Sequence, residues 1–264
     1  MLPQYPFPSL QEVIVFALVL GRVAGIFAAM PAFGGQRAPM NIRVLTVLMI
    51  TLVCFPVLKI TPPPVPGDMF TLGLLALSEV AVGLTLALVA QMVFGAVEFC
   101  GQIIGMQMGL TIASIIDPTR GNQVQLMSVL QSLLATLLFL ALDVHHVFIR
   151  AIVESFRVIP IGGWHVSGEL IGFMIRRTSD IFVIGIRLAA PVMVSLLLAS
   201  VALGVMARAF PQMNIFIVSM PLNVGLGFLI LGGTLMIFFH VLEVSFGDLS
   251  GHITTLFRLM AKGG

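Results

Sequence analysis

The chain of 264 residues is 59% hydrophobic and only 9% charged, whereas a soluble domain carries about 25% charged residues. Its net charge of +2 comes without a cluster of basic residues, which excludes a nucleic-acid-binding surface. Its two cysteines, Cys54 and Cys100, are too few for a disulfide framework or a metal motif, which excludes a disulfide-stabilised fold. The composition predicts an all-α integral membrane protein whose helices are interrupted by Pro and Gly.

Six apolar runs follow one another along the chain, each near or above the roughly 18 residues typical of a spanning helix. Pro/Gly turns between them predict three helical hairpins, at about 10–58, 69–157 and 168–246, in one hydrophobic helical domain of residues 1–264. Ser167 is the predicted N-cap of the helix that opens the third hairpin. The runs are Val13–Phe33, Ile42–Leu58, Met69–Val97, Leu126–Leu142, Ile181–Met206 and Ile215–Leu242.

The third run is too long for a simple span. Met69–Val97 would form a helix of roughly 43 Å at 1.5 Å per residue, against a hydrocarbon core of about 30 Å. It must therefore tilt, break or protrude. Beyond it, Gly101, Gly105 and Gly109 recur at intervals of four. This spacing predicts a helix face without side chains, on which another backbone can pack closely.

A loop rich in methionine and isoleucine follows these glycines, between two strongly apolar helices. An Asp-Pro pair gives it a turn signal, and flexible methionines adapt to irregular surfaces. The pattern suggests a deformable seal, and ordinary helix packing explains it equally well. Its candidate residues are Met106, Met108, Gly109, Leu110, Ile112, Ile115, Ile116, Asp117 and Pro118.

Four charges lie within apolar runs or their extensions: Arg22, Glu79, Glu98 and Arg187. Intramembrane charges indicate function by default. The alternative, which we favour, is that they pair with one another or with partner subunits, because an ion away from water needs a partner.

The sequence has no catalytic constellation, no cofactor-binding motif and no metal site that we would assign. Asp143, His145 and His146 could hold a metal or relay a proton, but no second ligand cluster accompanies them. A hydrogen-bonded turn or a helix cap is the interpretation we prefer.

A polar turn interrupts the last long apolar stretch. Gln212 and Asn214 could supply hydrogen-bond partners for the backbone freed at this break and dock a neighbouring subunit. The predicted contact turn consists of Arg208, Pro211, Gln212, Asn214 and Phe216.

Several motifs together resemble the FliR family of flagellar biosynthesis proteins, the export-gate family shared with the SctT proteins of virulence type III secretion. The Arg208–Phe216 segment is the most specific of them. The others are Pro31–Gly34, the glycine segment Gly101–Gly109, Asp117-Pro118, Asp143–His145 and Met220–Leu222.

This resemblance implies a non-enzymatic subunit of the export gate. It would complete a helical assembly with FliP and FliQ, with FlhB at the cytoplasmic entrance, and unfolded flagellar proteins would pass through the centre. The location would be the bacterial inner membrane in the flagellar basal body, in contact with membrane lipid and raised in part toward the periplasm. The resemblance also places a pore plug at about residues 106–122.

Three alternatives remain open. A virulence-secretion subunit of the SctT type is the nearest. A secondary transporter or ion channel would suit the interrupted helices, although no inverted repeat is found. An intramembrane enzyme lacks an acid–base or metal set.

Overall fold

The computed structural model describes residues 10–30, 39–58, 68–110, 126–212 and 214–261. Within these ranges the chain forms eight α-helices and no β-strand, which confirms the all-α prediction. The helices are α1 (Leu10–Ala29), α2 (Met40–Leu58), α3 (Met69–Gln107), α4 (Leu126–Ala141), α5 (Val144–Val158), α6 (Gly168–Ala209), α7 (Ile215–Gly247) and α8 (Leu249–Ala261).

Among the residues that the structure describes, five stretches are long and apolar enough to cross a membrane, and six if α4 and α5 count as one broken span. The five are α1, α2, α3, α6 and the stretch that begins in α7 and ends with α8. The chain is therefore a membrane protein. The over-long third run does not break: α3 continues for 39 residues, or about 58 Å at 1.5 Å per residue.

Three prolines do not end the helices in which they lie. Pro56, Pro191 and Pro221 lie inside α2, α6 and α7, because α-helices in membranes can satisfy the freed backbone groups with neighbouring side chains or local adjustments. The breaks fall instead at Leu142–Asp143 and after Ala209. The predicted N-cap of α6 is confirmed, since Ser167 Oγ accepts a hydrogen bond from the Leu170 N–H at 3.1 Å.

The helices form two compact units that interleave along the sequence. The first comprises residues 1–91, 143–175 and 248–264, and the second residues 92–142 and 176–247. Helices α3 and α6 contribute residues to both units. The units do not follow the predicted hairpins.

In the first unit, α1 packs on α2 and α5 packs on α8, with Phe16 and Phe55 edge to face across the α1–α2 pair at 5.5 Å between ring centroids. Helices α1 and α3 cross at two glycines: a Cβ at Gly25 would lie 2.5 Å from the Val80 carbonyl oxygen, and one at Gly83 would overlap the Arg22 carbonyl. The backbones therefore touch at this crossing.

The second unit has an aromatic core. Phe94 of α3, Phe139 of α4 and Phe246 of α7 form a triangle with centroid distances of 5.6–5.7 Å. Helix α6 approaches α3 at Gly185, where a Cβ would lie 2.7 Å from the Phe99 ring. Such aromatic pairs add about 0.5–1.5 kcal/mol beyond their buried area.

Candidate functional site

A fully buried ion pair lies at the centre of the first unit. Arg22 of α1 and Glu79 of α3 both have 0% exposure. Arg22 Nε donates a hydrogen bond to Glu79 Oε2 at 2.6 Å, and Nη2 lies 2.6 Å from the same oxygen. Two of the four predicted charges thus meet across 57 residues of sequence.

The remaining polar atoms of the pair find partners from the α5 region. Arg22 Nη1 donates to the Ile159 carbonyl at 3.0 Å and to Ser155 Oγ at 3.4 Å. The Gly162 N–H donates to Glu79 Oε1 at 3.0 Å, and the Phe156 ring centroid lies 4.0 Å from the guanidinium carbon. We call these residues, with Arg22 and Glu79, the buried polar cluster.

The buried polar cluster stabilises the packing of the helices. Burying two ions is costly unless their remaining donors and acceptors are satisfied, and here several hydrogen bonds and a cation–π contact surround the pair. The cluster ties α1, α3, α5 and the segment after α5 together. Sequence reasoning missed Ser155, Phe156, Ile159 and Gly162 because no local pattern connects them with Arg22.

The other two predicted charges behave differently. Glu98 on α3 and Arg187 on α6 are both exposed, and neither side chain forms an ion pair with any residue that the structure describes. Their helices are apolar. Charged side chains on apolar membrane helices are expected to face water or other polypeptide.

The glycine segment closes α3 against α4. A Cβ at Gly101 would overlap the Ser128 backbone, and the Ser128 hydroxyl donates to the Glu98 carbonyl at 3.2 Å. At Gly105 a Cβ would make only ordinary contact with the Met127 side chain at 3.7 Å. The close packing of α3 on α4 therefore requires a glycine at position 101, whereas position 105 has room for a methyl group.

Gly109 differs from the expectation of a packing glycine, because it lies beyond the end of α3 with φ of +79°. The Leu110 N–H bonds the Gly105 carbonyl at 3.0 Å and the Gly109 N–H bonds the Met106 carbonyl at 3.1 Å. These two bonds are the Schellman motif, which ends helices at a left-handed glycine.

Only the start of the predicted plug is described. Met106 is 57% exposed, and Met108 is fully buried. Met108 packs against Gly227 of α7, a residue that sequence reasoning missed. Ile112, Ile115, Ile116, Asp117 and Pro118 lie outside the described residues.

The predicted contact turn separates α6 from α7. Arg208, Pro211, Gln212 and Asn214 are all exposed. Among the described residues, the Gln212 and Asn214 side chains have no hydrogen-bond partner. Phe216 lies in the first turn of α7.

The Asp-His cluster forms an exposed turn before α5. Asp143 has φ of +54° and its side chain does not cap the helix, so of the two preferred interpretations the cap is wrong. The turn is held by the His146 N–H bonding the Asp143 carbonyl at 2.9 Å. Asp143 Oδ1 lies 3.4 Å from His146 Nδ1 and 3.9 Å from His145 Nε2, a donor set with the chemistry of a divalent-metal ligand.

The described residues combine a buried ion pair, exposed apolar helices and two exposed charges on apolar helices. These observations define the class of the protein: a hydrophobic helical protein embedded in a membrane. The sequence matches a family described as bacterial export proteins, family 1, over residues 13–249. The chain belongs to this family.

Three relatives illustrate the similarity. The flagellar biosynthetic protein FliR of Bacillus subtilis (strain 168) is 33% identical over 94% of this chain and 95% of its own length. FliR of Escherichia coli (strain K12) is 32% identical over 78% of each chain. The Yop proteins translocation protein T of Yersinia pestis is 27% identical over 84% of this chain and 85% of its own.

Proposed function

We propose that this chain is a non-enzymatic subunit of the flagellar type III protein export gate in the bacterial inner membrane. With FliP and FliQ it would form the channel for unfolded flagellar proteins, with FlhB at the entrance, and flagellum assembly would need it. The observation that carries the proposal is the similarity to the flagellar biosynthetic protein of Bacillus subtilis over nearly the whole length of both chains.

The exposed surface supports membership of a larger assembly. Helix α2 exposes apolar side chains on several sides, including Ile42, Leu45 and Val53, and α7 exposes Leu229 and Met236. Lipid can cover such residues, but lipid cannot neutralise Glu98 and Arg187 in the middle of their helices. Partner helices with complementary charges, or a water-filled passage, can do so.

Within this assembly we assign the plug to residues 106–122. The Schellman motif at Gly109 gives the chain a defined exit from α3 just where the plug begins. Deleting Leu110–Thr119 should make the resting gate leaky to ions. An unchanged closed-state conductance would contradict the assignment.

The α6–α7 turn is proposed as a subunit contact. The Gln212 and Asn214 amides are exposed and have no partner in the described part of this chain, which leaves them available to a neighbour. If Gln212→Ala together with Asn214→Ala still assembles and exports normally, the turn has no such role.

The test of the whole proposal is purification of a tagged full-length chain in mild detergent, followed by mass spectrometry. Small hydrophobic FliP- and FliQ-like subunits should accompany it in a fixed ratio. A homogeneous protein without them would contradict the proposal.

The virulence-secretion alternative has one specific observation in its favour, the 27% identity with the Yersinia pestis protein. Complementation separates the two: the chain should restore swimming to a host that lacks its own flagellar relative. Restored effector secretion in an injectisome mutant, without restored swimming, would favour the alternative.

A further inference from the structure

The turn before α5 brings three metal-ligating side chains together within a short stretch of sequence. One ligand atom from each of Asp143, His145 and His146 lies within 4.8 Å of the others. Asp143 Oδ1 is 3.4 Å from His146 Nδ1 and 3.9 Å from His145 Nε2. All three residues belong to the first unit, and they are the Asp-His cluster described above.

The spacing of these atoms suits a first-row transition metal. Zn²⁺ binds imidazole nitrogen and carboxylate oxygen at about 2.0–2.2 Å, so two ligands of a tetrahedral ion lie about 3.3–3.6 Å apart. The 3.4 Å between Asp143 and His146 already has this value, and the 3.9 Å between Asp143 and His145 shortens to it by a small side-chain rotation. Two imidazoles with one carboxylate favour zinc over Mg²⁺ and Ca²⁺, which prefer oxygen ligands alone.

Two features of this turn are not explained by helix formation. Side chains of consecutive helical residues point about 100° apart, yet the His145 and His146 rings lie with their centroids 4.2 Å apart. Among the described residues, Asp143 is the only residue other than glycine with positive φ, at +54°. Its carboxylate does not cap α5, as an acidic residue at a helix start commonly does, and lies against the two imidazoles instead. Residues held in a sparsely populated backbone conformation often mark functional sites.

Both imidazoles are available to an ion. Apart from the Asp143 carboxylate, neither ring has a polar partner among the residues that the structure describes. Asp143 and His146 are exposed and His145 is partly buried. An ion can therefore reach the three ligands from the surface, and a water molecule can complete its coordination.

We propose that Asp143, His145 and His146 bind one late first-row transition-metal ion of the Zn²⁺ type, with water as the fourth ligand. The ion holds the left-handed turn from which α5 starts. Since α5 carries Ser155 and Phe156 of the buried polar cluster, metal binding stabilises the first unit. The motif alone did not justify a metal assignment, because a sequence does not show whether three neighbouring side chains converge. The site is independent of the proposed role in export.

The first experiment is a zinc titration of the full-length chain in competition with a chromophoric chelator. The chain is purified in detergent with a tag that contains no histidine, and we expect it to bind one zinc ion. His146→Ala should weaken binding about 10-fold or more, since even the outer partners of metal ligands contribute about 10- to 100-fold. The matched control is His165→Ala, which removes another exposed histidine of the same unit and should leave the affinity unchanged.

The second experiment separates metal binding from folding. In Asp143→Gly the carboxylate is lost, but glycine adopts positive φ without strain, so the metal-free variant should unfold close to the wild-type temperature. Zn²⁺ should raise the unfolding temperature of the wild-type chain, because it binds the folded state. The same concentration should not raise that of Asp143→Gly.

Several results would overturn the site. They are the absence of zinc binding by the wild-type chain, equal weakening by His146→Ala and His165→Ala, and displacement of zinc by excess Mg²⁺. An equal zinc-induced rise in unfolding temperature for the wild-type chain and Asp143→Gly would place the ion elsewhere and also overturn it. If Asp143→Gly fails to fold, the titration of His146→Ala decides.

Discussion

Each of the two units of this protein is stabilised internally by a different kind of interaction. The first unit has a buried polar cluster, in which Arg22 pairs with Glu79 and donates hydrogen bonds to Ser155 of α5 and to the Ile159 carbonyl. The second has no buried ion pair in its described residues and relies on shape, with Gly101 against Ser128, Gly185 against Phe99 and a triangle of phenylalanines. Both solutions suit a membrane protein, where apolar side chains gain little from leaving lipid. The difference teaches that helices of nearly uniform hydrophobicity need either a charge or an absent side chain to select their neighbours.

The largest expected effect comes from removing one half of the ion pair. Glu79→Gln leaves Arg22 buried without a counter-charge and should destabilise the chain by about 3–5 kcal/mol. Thermal unfolding of the detergent-solubilised chain measures this. Arg22→Met combined with Glu79→Met should recover much of the loss, because no uncompensated ion remains. A double variant as unstable as the single one would show that the polar cluster cannot be replaced by packing.

Next in size is a methyl group at the closest backbone contact of the second unit. Gly101→Ala pushes a Cβ into the Ser128 backbone and should cost about 1–3 kcal/mol. Gly105→Ala, four residues away on the same helix, meets only a methionine side chain at 3.7 Å and should be neutral or slightly stabilising. Equal losses of stability for the two replacements would contradict the view that close backbone contact at glycine decides which helices pack together in the second unit.

A smaller effect is expected for a polar contact that is only partly buried. Ser167→Ala removes the N-cap bond to the Leu170 N–H and should cost about 1 kcal/mol. Ser167→Asp preserves the capping oxygen and serves as the control. If Ser167→Ala lowered the unfolding temperature as much as Glu79→Gln, the stability of the first unit would depend on the number of polar contacts and not on how deeply they are buried.

The smallest effect on stability is expected at the exposed charges. Glu98→Gln should change the unfolding free energy of the isolated chain by less than about 0.5 kcal/mol. Its effect should appear instead in the amount of partner subunits that co-purify. A large loss of stability in the isolated chain would mean that Glu98 has an internal role.

Local patterns predicted much of this architecture. Apolar runs located the helices, and Ser167 was recognisable as a cap because its hydroxyl acts on a backbone group three residues ahead. Gly101 was recognisable from its spacing. The partner of Arg22 was not, since nothing local in the chain specifies a contact across 57 residues. The sequence could not distinguish Gly227 from the other glycines of α7, because its contact is with a side chain outside that helix, Met108.

The buried ion pair also has a consequence for biogenesis. Glu79 emerges 57 residues after Arg22, and Ile159 follows Arg22 by 137 residues. At synthesis rates of roughly 5–20 residues per second, Arg22 waits roughly 3 to 11 s for its counter-ion. Placing an arginine at the centre of a lone helix costs about 2.5–3.5 kcal/mol during membrane insertion. We therefore expect helix α1 to reach its final depth only after α3 has been made, as a late and cooperative step of folding.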